Sequence, residues 1–215
     1  MGKKVFVSWS GGKDAYLALL KAQEAGLTIS TLVTFFRKDD LSLYHSVGHE
    51  VMAKQAAAMG FNLELEPAAY WDNGEALQRV MERLRQRGFE GGVFGDINSQ
   101  RRRKLVEGLC SRFKMAMYMP LWGMAENDIL AELRQRGCRL LIVSVRSDLI
   151  DEKWLGREID NEFSDMCSEA GINPCGERGE FHTLVVDGPL FKDPLKLGPR
   201  KIIKIKNMAV LEIGS

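Results

Sequence analysis

Five consecutive residues near the start of the chain, Ser10-Gly11-Gly12-Lys13-Asp14, combine backbone freedom with charge of both signs. Two adjacent glycines permit unusual backbone angles and close approach of a ligand. N–H groups that open a following helix point at an anion, with the helix dipole behind them. Lys13 adds a mobile positive charge that can offset charge developing on a leaving phosphate. Asp14 can cap the helix or help to hold Mg2+ through water. The chemistry is phosphate binding. The spacing is not that of the Walker loop, which places four residues between Gly and Gly-Lys, nor that of the dinucleotide fingerprint. A Ser-Gly-Gly turn can also simply connect a strand to a helix. Here it is the first turn of the chain, follows an apolar strand and carries both Lys and Asp.

A second group of residues lies far downstream, in Gly176-Glu177-Arg178-Gly179-Glu180-Phe181-His182-Thr183. Two carboxylates three residues apart, flanked by glycines, can recognise a cationic or amine-bearing acceptor, or orient ammonia and take its proton. A glycine-rich turn with solvated Glu side chains explains the same pattern. Arg178 reads as a surface charge or as a clamp for phosphate or carboxylate. Thr34 ends a strand where it can meet a nucleotide or serve as an ordinary β-former. Gly95 can let adenine or ribose approach, and Asp96 can bind a hydroxyl or a metal; a plain turn accounts for both. Cys175 adjoins the second motif, but no partner cysteine lies at short spacing, so it reads as a small packed residue.

The elements that must position these groups follow from periodicity. Lys4 to Trp9 reads as a buried strand and Asp14 to Ala25 as a helix ended by Gly26. A strand over Ile29–Phe36, a helix over Ser46–Met59 and a strand over Asn62–Leu65 follow. The third helix has Leu77, Val80, Met81 and Leu84 on one face, and Asp72 and Glu75 at capping-box spacing. Strands at Gly92–Gly95, Met115–Met119 and Arg139–Val145 alternate with helices at Gln100–Arg112 and Ala125–Arg136. Such alternation predicts an α/β fold, with a parallel sheet of five or six strands covered by helices on both faces. Beyond it, a helix around Phe163 and short strands at Phe181–Val186, Lys201–Ile205 and Ala209–Ile213 predict a small β-containing region. The expected division is a nucleotide-binding domain over 1–145 and a substrate-binding region over 146–215.

The segment Val7 to Ala15 resembles the pyrophosphate loop of the N-type ATP pyrophosphatases, with Ala15 where that motif usually continues with Ser. The second motif, followed by Asp187-Gly188-Pro189-Leu190-Phe191, is similar to the hallmark of the diphthine–ammonia ligase family. Trp154-Leu155-Gly156-Arg157 and Tyr44-His45-Ser46 also resemble family segments. The eukaryotic and archaeal members usually read Gly-Glu-Gly-Gly-Glu-Phe-Glu-Thr. Arg178 and His182 depart from that pattern and resemble a bacterial branch. The resemblance implies a Rossmann-like fold of the adenine nucleotide alpha hydrolase type. It implies that Ser10, Gly11, Gly12, Lys13, Asp14, Thr34, His45, Gly95 and Asp96 bind ATP, with His45 on the adenylate phosphate and Asp14 on Mg2+. Glu177, Arg178, Gly179, Glu180 and Thr183 would bind the acceptor, and Lys13, Glu177 and Glu180 would carry the chemistry. The implied reaction is adenylation of an acceptor carboxylate followed by amidation with ammonia, releasing AMP and pyrophosphate. The family's acceptor is diphthine on elongation factor 2.

Composition narrows the alternatives. The 215 residues are 45% hydrophobic and 27% charged with a formal net charge of +1. No global field pulls such a chain onto nucleic acid or an anionic membrane. The one dense basic run, Arg101-Arg102-Arg103-Lys104, reads as a solvated helix start before it reads as a binding patch. No secretory leader or membrane-spanning stretch is apparent, and the four cysteines lack metal-ligand spacing. The expectation is a cytoplasmic protein with reduced thiols, with a homodimer left open. Two other classes remain: a tRNA-thiolating or other adenylating enzyme, which needs a working cysteine, and a nucleotide-binding sensor without chemistry.

Overall fold

The computed structural model describes residues 2–36, 47–69 and 74–214. The first elements are β1 (Lys4–Ser8), α1 (Lys13–Glu24), β2 (Thr28–Phe36), α2 (His49–Ala58) and β3 (Asn62–Pro67). They continue with α3 (Glu75–Gln86), β4 (Gly91–Val93), α4 (Gln100–Phe113) and β5 (Ala116–Tyr118). Then come α5 (Glu126–Gln135), β6 (Arg139–Arg146), a 3-10 turn (Glu152–Trp154), α6 (Asn161–Glu169), β7 (Phe181–Asp187), β8 (Arg200–Ile205) and β9 (Met208–Ile213). Two compact units partition the chain. One comprises Met1–Ser10, Asp14–Leu43 and Gly60–Met124; the other comprises Gly11–Lys13, Tyr44–Met59 and Ala125–Ser215.

The first unit holds an all-parallel sheet in the order β3-β2-β1-β4-β5, flanked by helices, as the alternation predicts. Val5, Phe6 and Val7 of the central strand have no exposed surface, which is why β1 reads as a continuous apolar run rather than an alternation. Strand order reverses between β1 and β4. The segments that follow these two strands, beginning at Ser10 and at Gly95, therefore leave one edge of the sheet at its topological switch point. Open α/β sheets bind ligands at such points.

Helix α3 buries Leu77, Val80, Met81 and Leu84, the face that periodicity assigns. Its start differs from the capping-box reading. Glu75 is the first helical residue, and Gly74, with φ +97°, occupies the cap position. Asp72 lies outside the described residues. Helix α4 begins at Ser99, whose side chain accepts from the Arg102 N–H. The basic run thus forms the first turns of a helix. Arg101 and Lys104 are exposed, while Arg103 stacks 4.7 Å from the Trp122 ring.

The second unit holds a four-stranded antiparallel sheet in the order β7-β6-β9-β8. This corrects one expectation: β6 does not extend the parallel sheet but lies inside the antiparallel one. Its residues Leu140 to Val145 are all buried. A strand covered on both faces reads as an unbroken apolar run in either kind of sheet, so patterning alone does not separate the two cases. Phe163 of α6 anchors this unit, edge-on to Trp154 at 5.1 Å and to Phe181 at 5.0 Å.

Leu84 has no exposed surface and sits in the core cluster with Val80, Met81 and Phe89. Leu84→Ala is expected to cost about 2–5 kcal/mol. Urea unfolding should show a lower midpoint with an unchanged slope; a midpoint equal to the parent's would contradict the assigned core.

Candidate functional site

The residues Gly11–Lys13 run beside β7 within the second unit. The Gly11 carbonyl accepts from the Val185 N–H at 2.9 Å. It also accepts from the Gln55 side-chain amide at 2.9 Å, and the same amide nitrogen donates to the Val185 carbonyl at 2.7 Å. Gln55 has no exposed surface. Gly11 has φ +76°, and a Cβ on it would stand 2.8 Å from Met52 Sδ and 3.0 Å from Gln55 Oε1. Both conformation and space therefore demand glycine there. One step on, the Lys13 N–H donates to Thr183 Oγ1 at 3.2 Å across 170 positions of sequence. The Lys13 side chain is 5% exposed, with its ammonium 5.9 Å from the centre of the Phe181 ring. The phosphate-type loop and the second motif are thus fastened backbone to strand.

The loop that precedes β7 is organised by its own polar groups. Glu180 is 4% exposed. One carboxylate oxygen accepts from the Arg178 N–H at 2.9 Å and the other from the Asn173 N–H at 3.4 Å. Asn173 accepts from the Cys175 and Glu177 N–H groups at 2.9 and 3.4 Å, and its amide donates to Glu126. Gly176 has φ +68°, and a Cβ there would meet the Phe181 carbonyl at 2.6 Å. The side chains of Glu177 and Arg178 are exposed on this braced turn. The two carboxylates therefore separate: Glu177 faces solvent, and Glu180 binds the loop's own N–H groups.

His182 follows in β7. Burial foremost, and then the Lys13 ammonium, push its imidazole down to about 4, while Glu180 pulls the other way. It is neutral at neutral pH. Sequence reasoning did not single out His182, Gln55 or Asn173 as site residues. For Gln55 a signal existed, since it is the one polar residue on the buried face that Val51, Met52 and Ala56 form on α2.

In the first unit, the Thr34 hydroxyl donates to the Trp9 carbonyl at 3.0 Å and holds the end of β1. A Cβ on Gly95 would lie 2.9 Å from the carbonyl carbon and oxygen of Asp14, so this glycine lets the end of β4 approach the first turn of α1. Asp96 has its carboxyl raised, chiefly by burial; Arg102, at 3.5 Å, opposes the rise and Asp14 adds to it. Asp14 and Asp96 thus feel one another electrostatically. No cluster of three or more metal-type side chains occurs among the described residues. Mg2+ is generally held by one or two carboxylates together with waters and phosphate oxygens. His45, with Tyr44 and Ser46, lies outside the described residues. All four cysteines are free thiols, and burial raises Cys110, Cys138 and Cys167 to about 11. Cys175 is buried and donates to the Glu126 carbonyl at 3.4 Å. No described helix is long and apolar enough to cross a membrane.

The family model described as the diphthamide synthase N-terminal domain matches residues 3–117, and that of the diphthamide synthase C-terminal domain matches 125–213. A diphthine–ammonia ligase from Danio rerio is 26% identical over 231 residues, covering 95% of this chain and 90% of that protein. The Homo sapiens diphthine–ammonia ligase is 26% identical over 220 residues, covering 90% and 82%. The one from Schizosaccharomyces pombe is 26% identical, and 37% of its longer length is covered. A solved structure from Methanocaldococcus jannaschii, described as a predicted subunit of tRNA methyltransferase, superposes with a TM-score of 0.49 at 18% identity, covering 89% of this chain and 99% of that one.

Two measurements probe this geometry. Gln55→Leu keeps the bulk but removes the amide that serves two buried carbonyls. A loss of about 1–3 kcal/mol of stability is expected, and an unchanged midpoint would show that the clip is dispensable. For His182 the unfolded imidazole, at 6.5, takes a proton before the folded one at about 4. Stability present above pH 6.5 is therefore lost as pH falls from 6.5 towards about 4. His182→Asn should flatten that part of the stability–pH curve; an identical acid slope in the variant would refute the neutral imidazole.

Proposed function

The chain belongs to the diphthamide synthase family, and from that premise we propose that it is an ATP-dependent ligase that amidates a carboxylate with ammonia. In the first step, an acceptor carboxylate oxygen attacks the α-phosphorus of ATP, and the bond to the pyrophosphate oxygen breaks. In the second, the ammonia lone pair attacks the acyl carbon of the adenylate, AMP departs, and a proton passes to solvent. The observation that carries this reading is the hydrogen bond from the Lys13 N–H to Thr183 Oγ1, with Val185 on Gly11 beside it. It sets the loop that resembles a pyrophosphate cradle against the strand of the acceptor-type motif.

The roles follow from position and charge. Ser10, Gly11, Gly12 and the N–H groups opening α1 face the phosphates, and Lys13 offsets charge on the departing pyrophosphate. Thr34, Gly95 and Asp96, in the first unit, are assigned to the nucleotide by resemblance. His45 is assigned to the adenylate phosphate by resemblance. Mg2+, held by Asp14 beside Asp96, would neutralise charge on the triphosphate. Glu177 and Arg178 meet the acceptor, with Gly179 giving the turn its shape. Glu180 acts by holding that turn. Thr183 joins it to the nucleotide loop. The acceptor is diphthine on elongation factor 2 or a related carboxylate, and free ammonia supplies nitrogen.

Sulfur transfer is the weaker reading. Thiols that burial lifts to about 11 are poor nucleophiles at neutral pH, and Cys175 is packed against a carbonyl.

With diphthine-bearing elongation factor 2, ammonium and labelled ATP, the products should be AMP and pyrophosphate, equimolar with the amide. ADP as the stoichiometric product would overturn the proposal. Lys13→Ala should lower turnover by a hundred- to a thousandfold, about 3–4 kcal/mol of transition-state stabilisation.

A further inference from the structure

Glu126 is the first residue of α5, a helix that buries Ile129, Leu130 and Leu133. It belongs to neither of the two glycine-bearing motifs. Two of its groups are nevertheless taken up by the turn that carries the second motif. Its carboxylate accepts from the Asn173 side-chain amide at 3.3 Å, and its carbonyl accepts from the Cys175 thiol at 3.4 Å. The helix dipole favours a carboxylate at a helix start, so Glu126 suits its own place as well as the turn. Asn173 is the other end of this tie, and each of its polar groups is employed. Its side-chain oxygen accepts from the Cys175 and Glu177 N–H groups at 2.9 and 3.4 Å. Its carbonyl accepts from the Gly176 N–H at 2.9 Å, and its own N–H donates to Glu180 at 3.4 Å. The partners fix which way the amide points, with N–H groups on one side and a carboxylate on the other.

We propose that Asn173 and Glu126 are the positioning pair of the acceptor site, fastening its turn to α5 so that Glu177 and Arg178 stand ready to meet the acceptor; this rests on the reading of those two residues as acceptor contacts. All four lie in the second unit. Glu177 and Arg178 are exposed, so burial does little to hold them. What is held is their backbone, the Glu177 N–H by Asn173 Oδ1 and the Arg178 N–H by Glu180. Glu180 is a tie within the motif, whereas Glu126 is a tie to a helix outside it. A turn fixed in advance spares the complex the entropy of ordering it when a ligand arrives. The carboxamide of Asn173 supplies both halves of the device, an acceptor oxygen for the turn and a donor nitrogen for Glu126. An aspartate at 173 would still accept from the two N–H groups, but it would set a second carboxylate against Glu126. The role is positional, since the pair acts on the acceptor through Glu177 and Arg178.

The test exchanges donor and acceptor across the pair in the full-length protein. Asn173→Asp should raise the KM for diphthine-bearing elongation factor 2 about tenfold and leave the KM for ATP within about twofold. Glu126→Gln should stay close to the parent, because a glutamine oxygen still accepts from Asn173. Combining the two changes restores the hydrogen bond in the opposite direction, and the acceptor KM should return to within about threefold of the parent. Hydrogen exchange of the Cys175, Glu177 and Arg178 amides should quicken in Asn173→Asp and slow again in the double variant, a readout independent of turnover. Faster exchange or a lower unfolding midpoint in Asn173→Asp with an unchanged acceptor KM would mean a purely structural tie and overturn the proposal. A double variant no better than Asn173→Asp in both exchange and KM would also overturn it. Arg178→Ala separates the premise from the inference. If that variant leaves the acceptor KM unchanged, the turn is not the acceptor's contact and both fall. If it raises the KM while Asn173→Asp does not, only the positioning role falls.

Discussion

The side-chain amide of Gln55 donates from one nitrogen to two backbone carbonyls, Gly11 O at 2.9 Å and Val185 O at 2.7 Å. A primary amide has two N–H groups and is suited to such a bridge. With no exposed surface on Gln55, neither carbonyl has water to turn to, and removing the bridge would leave buried acceptors short of a partner. The bridge therefore fixes the separation of the phosphate-type loop and β7. Much else depends on that separation. Gly11 has no room for a Cβ because Gln55 and Met52 stand so close. Lys13 can reach Thr183 only because Gly11 is already paired with Val185.

Once that registry is set, the charged residues sort by what surrounds them. Glu177 and Glu180 are chemically identical and three positions apart. One is exposed, and the other spends both oxygens on the N–H groups of its own turn. A carboxylate committed in this way fixes geometry; a solvent-facing one can meet a ligand. Asp14 and Asp96 offer a different case, since burial and mutual repulsion raise the Asp96 carboxyl while Arg102 restrains it. The thiols complete the picture: burial makes them packing groups.

Much of the fold was legible because each element needs only local information. Leu77, Val80, Met81 and Leu84 recur at helical spacing, and they are the buried face of α3. Alternation of strands and helices up to about residue 145 announced the parallel sheet, whose strands end at Tyr118. The failures have physical causes. Arg139 to Val145 carries the apolar run of a doubly covered strand, and such a run is silent about the direction of its neighbours. Asp72 and Glu75 have capping-box spacing, yet α3 starts at Glu75 itself. At Gly95 a Cβ would meet backbone atoms of Asp14 and Ala15, a closeness between distant stretches that no local pattern shows.

The sequence by itself determined the element types, the two glycine-bearing motifs and the charge inventory of each. These depend on periodicity, on backbone freedom and on residue identity, all of which are properties of short stretches of chain. It also marked Lys13, Glu177, Glu180 and Thr183 as members of two separate motifs. Only the tertiary structure decided that Lys13 and Thr183 are hydrogen-bonded, that Gln55 clips the loop, that Glu180 is a brace, and that His182 lies within the field of Lys13. Those facts depend on desolvation and on distances of a few ångströms between residues more than a hundred positions apart. Neither quantity is written in any local pattern; both exist only after the chain has closed on itself.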